Sequence, residues 1–146
     1  VACPISVSGL EDLEEYIIEL SLFIDGGYFY DDECDVGLTM DWVVEEEYAS
    51  GMKSCNPLWF EIGMDNSVWI GHYDDGKKGY TGYCSYINLK HNILSIVVEG
   101  NSTKYYINGK LVHTLPYKYK ISNNEIGPQI GYVSARFDYL KIYQKK

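Results

Sequence analysis

Several residue classes and patterns are scarce in this chain of 146 residues, and each absence excludes a class of protein. No apolar run approaches the roughly 18 residues of a membrane-spanning helix, so we expect no insertion into a membrane. Basic residues are few, because 12 Lys and Arg stand against 21 Asp and Glu and give a net charge of -9. Without a basic stripe to neutralise phosphates, the sequence predicts no nucleic-acid partner.

Cysteine is also sparse, with Cys3, Cys34, Cys55 and Cys84 far apart in the sequence. No Cys-x-x-Cys pair occurs, which argues against a zinc ribbon and against a thioredoxin-type redox site. The even number permits two disulfides in any of three connectivities, and it equally permits free thiols. No Gly-x-Ser-x-Gly motif is present, so the serine elbow of the α/β-hydrolases is absent.

What the chain does contain is an alternation of apolar and polar residues, broken by turn residues roughly every eight to twelve positions. The pattern predicts about nine or ten strands and no helices between them, which excludes a parallel α/β fold. We therefore predict an all-β fold, a two-sheet antiparallel jelly-roll β-sandwich that forms a single domain over residues 1–146. The polar segment from Glu45 to Gly51 is interpreted as a loop.

Three local features refine this prediction. Asn108 and Gly109 stand between two apolar runs, and this dipeptide favours a hairpin with a type I′ turn. Pro128 cannot donate a backbone hydrogen bond, so we expect its strand at a sheet edge or at a bulge. In the closing strand, Leu140 and Ile142 share a parity that Phe137 does not, which predicts a bulge or a strand buried on both faces.

The segments around Trp59 and Trp69 carry the candidate site. Strand periodicity places Trp59, Glu61, Trp69 and Tyr73 on the face opposite the apolar set Leu58, Phe60, Ile62, Val68 and Ile70. Aromatic rings stack on the apolar faces of sugar rings, and a carboxylate can accept hydrogen bonds from sugar hydroxyls. His72 and Asp74 follow at the strand end and complete the predicted ligand site. The alternative is that both tryptophans are core residues beneath loops or another domain.

The second half of the chain resembles the concanavalin A-like lectin and glucanase superfamily, in its laminin-G-like or pentraxin-like branch. The resemblance lies in the strand from Asn92 to Gly100, the Asn108-Gly109 turn, the pair Ile130-Gly131 and the closing run from Phe137 to Ile142. It covers residues 57–143 well and residues 14–42 loosely. The resemblance implies a jelly roll with a concave and a convex sheet, glycan binding in many members, and frequent occurrence outside the cytoplasm.

Glycosidases of this superfamily use carboxylates in a Glu-x-Asp-x-x-Glu pattern on one strand. Here Glu61 is followed by Gly63 where the central carboxylate would stand, and no Glu follows at the required interval. A glycoside hydrolase is therefore the less favoured interpretation. Some members bind calcium, and Asp25, Asp138 and the acidic stretch from Asp31 to Asp35 supply oxygen ligands of the kind that calcium prefers. No other cofactor is expected.

The sequence thus predicts a non-catalytic ligand-recognition domain whose foremost ligand is carbohydrate. The predicted ligand-binding residues are Trp59, Glu61, Trp69, His72, Tyr73 and Asp74. The alternative is a protein-interaction or accessory domain of a larger protein, in which acidic segments such as Glu45 to Glu47 would meet a basic partner.

Overall fold

The computed structural model describes residues 5–27, 34–41, 44–47, 53–55, 58–72, 80–121 and 124–145. Strands make up most of this part of the chain, and its only helix is a single 3-10 turn over Leu10–Asp12. No helix in the described ranges is long and apolar enough to cross a membrane. The strands are β1 (Ile5–Ser6), β2 (Tyr16–Gly27), β3 (Asp35–Met40), β4 (Val44–Glu47), β5 (Lys53–Cys55), β6 (Leu58–Gly63), β7 (Ser67–His72), β8 (Tyr80–Tyr83), β9 (His91–Glu99), β10 (Ser102–Ile107), β11 (Lys110–Leu115), β12 (Glu125–Gly131) and β13 (Val133–Gln144).

Two antiparallel sheets form the sandwich. The six-stranded sheet has the order β1-β12-β3-β6-β7-β8, and the five-stranded sheet has the order β11-β10-β9-β2-β13. Strands that are distant in sequence are neighbours in both sheets, which is the connectivity expected of a jelly roll. The predicted all-β sandwich is therefore confirmed.

The core lies between the two sheets and is built by the predicted alternation. In β9, buried and half-buried residues alternate from Asn92 to Glu99, and β10 continues the pattern. Because neighbouring side chains of a strand point to opposite faces, each strand contributes every second residue to the core. The largest fully buried side chains include Tyr16, Ile18, Leu20, Leu38, Met40, Leu58, Phe60, Ile70, Leu94 and Tyr105.

The turn and bulge predictions are confirmed. Asn108 and Gly109 have φ angles of 52° and 79°, the positive values that a type I′ turn requires at both central residues. In β13 the pairing register shifts between Phe137 and Tyr139, so Asp138 is the extra residue of a bulge. The bulge restores Phe137 to the same face as Leu140, which explains their opposite parity in the sequence.

Pro128 lies in β12, where that strand pairs with β3 on one side. Within the described ranges, β1 pairs only with Glu125 and Ile126. At Pro128 the missing N–H therefore faces the edge side of the sheet, as the sequence predicts.

One segment differs from the prediction. The stretch that begins at Glu45 was interpreted as a loop, but Val44–Glu47 forms β4 and pairs with β5 in a small separate sheet. Strand pairing uses backbone hydrogen bonds, so an acidic segment outside the main core can form a strand without an apolar face. The two-residue β1 was likewise not predicted, because so short a strand has no periodicity to detect.

A buried polar cluster closes one end of the sandwich. Asn92 is fully buried, and its side-chain oxygen accepts hydrogen bonds from the Asn88 backbone at 2.7 Å and from Asn108 Nδ2 at 3.0 Å. Asn108 Nδ2 also donates to the Tyr86 carbonyl at 2.7 Å. The cluster satisfies polar groups that burial would otherwise leave unpaired, and it fastens the β8–β9 connection to the β10–β11 hairpin.

Gly37 in β3 tests how tightly the six-stranded sheet is built. A Cβ atom at this position would lie 2.0 Å from the Phe60 carbonyl oxygen and 2.7 Å from the Glu61 Cα atom. Because both are backbone atoms, Gly37→Ala should lower the free energy of unfolding by about 2 kcal/mol or more. Urea denaturation followed by circular dichroism measures this loss.

Gly26→Ala is the matched control, since a Cβ atom at Gly26 meets no heavy atom within 4 Å. We expect that variant to stay within about 1 kcal/mol of the parent. Equal stability of the two variants would show that β3 and β6 are not so closely apposed.

Candidate ligand-binding face

The two tryptophans of the predicted site lie on neighbouring strands of the six-stranded sheet. In the register of β6 and β7, Trp59 pairs with Gly71 and Glu61 pairs with Trp69. Both indoles are half-buried. The alternate residues of the same strands are all buried in the core: Leu58, Phe60, Ile62, Val68 and Ile70. The predicted division into two faces is therefore confirmed, and the outer surface formed by Trp59, Glu61 and Trp69 is here termed the tryptophan face.

Glycines make room for both indoles. A Cβ atom at Gly71 would lie 2.0 Å from Cε2 and Cζ2 of Trp59. A Cβ atom at Gly63 would lie 3.0 Å from Cη2 of Trp69. Each ring thus lies over a glycine of the neighbouring strand and is supported by the sheet backbone. The two rings form an aromatic platform, and the backbone beneath them prevents them from moving closer to the sheet.

The spacing of the platform follows from the register. The pair of Trp59 with Gly71 and the pair of Glu61 with Trp69 are two residues apart, or about 7 Å along the strands. The two strands are about 5 Å apart. Two stacking surfaces at this separation are within reach of neighbouring units of one oligosaccharide.

A polar bridge crosses the sheet beside the tryptophans. Glu61 is 5% exposed, and its carboxylate end accepts a hydrogen bond from Nε2 of Gln129 on β12. Between them lies β3, where Gly37 pairs with both residues. Because Gly37 has no side chain, Gln129 can reach across a whole strand to Glu61. The bridge ties together three strands beneath the face.

Burial raises the pKa of Glu61 to about 8, and the negative charge of Asp35 and a hydrogen bond with it add to the shift. Asp35 lies on the adjacent strand, where it pairs with Gly63. Glu61 therefore carries a proton at neutral pH and shares it with its neighbour. The predicted role of Glu61 as an acceptor for sugar hydroxyls stays a prediction. Its buried hydrogen bonds also give it a structural role, because they join β6 to Gln129 and Asp35.

Of the three other predicted ligand residues, the structure describes only the backbone of His72. The backbone of His72 ends β7 and pairs with the core residue Leu58, so position 72 has the parity of the core and not that of Trp59 and Trp69. Tyr73 and Asp74 lie outside the described residues, as does Trp42.

Sequence reasoning missed two residues of this surface. Tyr83 on β8 pairs with Ser67, which puts it on the outer face, and its side chain is 78% exposed. Gln129 joins the face only because β12 lies beside β3. The alternation of β8 could have revealed Tyr83, since Tyr80 and Gly82 occupy the inner parity, but nothing local to Gln129 indicates its partner.

The two aspartates predicted for calcium do not lie together. Asp25 binds Arg136 through two hydrogen bonds, of 2.8 Å and 3.1 Å. Asp138 lies at the bulge of β13 beside Ser21 and Leu22, about 10 Å from Asp25 along the strands. Across the described ranges, no group of three or more His, Cys, Asp or Glu side chains could hold a metal. Asp31, Asp32 and Glu33 lie outside those ranges, so calcium binding stays a prediction.

The outer face of the five-stranded sheet offers a contrasting surface. There Phe23 stacks on His91 with ring centroids 4.5 Å apart, and the Arg136 guanidinium lies 4.9 Å from the Phe23 ring centre. Tyr139 donates a hydrogen bond of 2.6 Å to Glu19. The aromatic groups of this surface are thus engaged with ring, cation and carboxylate partners of the same chain.

Comparison with solved structures agrees with the architecture. Sheep galectin-11, in a complex with glycerol, aligns over 98% of this chain and 96% of its own, with a TM-score of 0.57 and 11% identity. A carbohydrate-binding module of the Ruminococcus gnavus sialidase, bound to α2,3-sialyllactose, aligns over 99% and 86%, with a TM-score of 0.61 and 14% identity. A β-glucanase of Bacillus licheniformis aligns over 91% and 67%, with a TM-score of 0.57 and 14% identity.

No protein-family model and no curated protein sequence matches the chain. At identities this low the solved structures establish the fold alone. The chain has the concanavalin A-like jelly-roll fold that these lectins, binding modules and glucanases share.

The raised pKa of Glu61 predicts a dependence of stability on pH. Its pKa rises from 4.5 to about 8 on folding, so its stabilising contribution is complete below about pH 4.5 and is lost as the pH rises through 8. Glu61→Gln keeps the group neutral at every pH. Between pH 5 and pH 8, urea denaturation should show that the parent chain loses at least about 1 kcal/mol more than this variant, the value of roughly one pKa unit.

Glu19→Gln is the control variant, because it makes the same substitution on the five-stranded sheet. Its pH profile shows how much of any change comes from replacing a Glu with Gln in general. If the pH profiles of the parent chain and Glu61→Gln run parallel, Glu61 is not protonated at neutral pH in the folded chain.

Proposed function

We propose that this chain is a non-catalytic carbohydrate-recognition domain that binds glycans on the tryptophan face. The observation that carries the proposal is that Trp59 and Trp69 lie on the same side of two neighbouring strands, each indole held over a glycine of the other strand. Such rings present an apolar surface to the C–H faces of pyranose rings without having to rearrange on binding. Tyr83, at the exposed edge of the same face, extends the aromatic surface toward β8.

Polar groups for the sugar hydroxyls stand beside the rings. Thr81 pairs with Trp69 and is exposed, and Gln129 is half-buried next to Glu61. Hydroxyl and amide groups can both donate and accept, which suits a ligand whose hydroxyls do the same. An apolar surface with a few fixed polar groups at its border is the usual composition of a small-ligand site.

The carboxyl groups of this face argue against hydrolysis. Glu61 and Asp35 hydrogen-bond directly to one another, and Glu61 is 5% exposed. A retaining glycosidase needs two carboxyl groups about 5 Å apart on either side of the bond that it cleaves. A pair in direct contact leaves no space for that bond, so we infer recognition without catalysis.

The names of similar structures agree with this proposal. They include galectins and carbohydrate-binding modules as well as a glucanase, and one of the modules is bound to a sialylated sugar. The ligand of this chain follows from its own surface residues and not from these neighbours.

Glycan binding should depend on both tryptophans. On a glycan array and by isothermal titration with the best ligand, Trp59→Ala and Trp69→Ala should each lower affinity about tenfold, the value of one aromatic contact. Tyr143→Ala is the control, because Tyr143 is an exposed aromatic residue of β13 on the other sheet. That variant should bind like the parent.

Circular dichroism and urea denaturation establish that each variant is folded. Glycan binding that survives both tryptophan substitutions would contradict the assignment of the face. If the folded parent chain binds no glycan at all, the carbohydrate proposal itself fails and a protein partner becomes the alternative.

A further inference from the structure

The described charged side chains near the Trp69 end of the tryptophan face are acidic. Asp35 pairs with Gly63, and Glu61 pairs with Trp69. Because Glu61 holds a proton that it shares with Asp35, these two carboxyl groups together carry one negative charge at neutral pH. Asp65 lies in the β6–β7 turn, where its Oδ1 atom accepts hydrogen bonds from the backbone N–H of Ser67, at 2.9 Å, and from the Ser67 hydroxyl.

The Asp65 carboxylate also lies over the sheet beside Trp69. A Cβ atom at Gly63 would lie 2.7 Å from Asp65 Oδ1 and 3.0 Å from Trp69 Cη2, so the carboxylate and the indole flank the same point of the backbone. The hydrogen bond from the Ser67 hydroxyl holds the pKa of Asp65 below its ordinary value, and Asp65 is therefore ionised at neutral pH. A ligand group that stacks on Trp69 must approach this carboxylate.

Within the described strands of the two large sheets, Lys and Arg lie only on the five-stranded sheet. No Lys or Arg occurs within the six strands of the tryptophan-bearing sheet. The described strands of the five-stranded sheet hold Lys104, Lys110, Arg136 and Lys141. An acidic ligand group over Trp69 would thus meet the Asp65 carboxylate and the negative charge shared by Asp35 and Glu61, and the described strands of that sheet supply no Lys or Arg to offset them.

We propose that the tryptophan face selects uncharged glycans and rejects glycans that carry a carboxylate or sulfate on the unit stacked over Trp69. This selectivity rests on the proposed function of the same face. Discrimination against a ligand is commonly achieved by unfavourable groups, and like charges at close range supply one here. The carboxylates do not form a site of their own; they decide which ligand the aromatic platform accepts.

The test compares matched glycans that differ by one acidic group. An array should carry neutral oligosaccharides beside the sialylated and sulfated forms of the same cores, at low salt. The expected result is that neutral glycans bind about tenfold or more tightly than their acidic counterparts. The preference should shrink at 1 M salt, where screening confines charge interactions to about 3 Å.

Asp65→Asn should weaken the preference several-fold, since asparagine can still accept the hydrogen bonds from Ser67. Asp138→Asn is the matched control, because it removes the same charge from an exposed residue of β13 on the other sheet. Its preference for neutral glycans should equal that of the parent chain.

Three outcomes overturn the claim in distinguishable ways. Acidic glycans that bind as tightly as their neutral counterparts would contradict the selectivity while leaving glycan binding intact. An effect of Asp138→Asn equal to that of Asp65→Asn would show that net charge, and not the face, decides the preference. Absence of binding to every glycan would instead refute the proposed function on which the selectivity depends.

Discussion

The side chains of every strand alternate between the core and the outer side of its sheet, and the remaining features of the molecule depend on that constraint. Successive side chains of a strand point in opposite directions, so residues such as Phe60 and Ile70 go to the core only if Glu61 and Trp69 go outward. A shift of one residue in the register would reverse both sets. The register that buries the core residues therefore also determines which residues lie on the outer side of the sheet. The tryptophan face lies opposite the buried residues of β6 and β7.

What turns that surface into a candidate site is the distribution of residues that have no side chain. Gly71 and Gly63 allow the two indoles to lie over the sheet, and Gly37 allows Gln129 to reach Glu61 across a strand. The same absence of side chains brings backbones close together, as at Gly37 and Phe60. The site and the stability of the sheet are thus coupled, since a larger residue at any of these positions would disturb both.

The strand periodicity allowed the fold class, the Asn108-Gly109 turn and the shared face of Trp59, Glu61 and Trp69 to be predicted, because each depends on residues close in sequence. The proximity of Gln129 to Glu61 could not be predicted in this way, since the two are 68 positions apart and meet only through the strand order β12-β3-β6. The burial of Glu61 and its contact with Asp35 are likewise properties of neighbouring strands. The strand Val44–Glu47 was missed because it has no apolar alternation, and its pairing depends only on backbone groups.

If the tryptophan face binds the ligand, the indole N–H groups should respond to it, and nuclear magnetic resonance can follow them individually. The chain has three tryptophans, so Trp59→Phe and Trp69→Phe suffice to assign their resonances. On titration with a glycan selected from the array, we expect the resonances of Trp59 and Trp69 to shift together and to saturate with the same dissociation constant. Shifts confined to residues of the opposite sheet, such as His91 and Tyr139, with both indole resonances unchanged, would contradict this expectation.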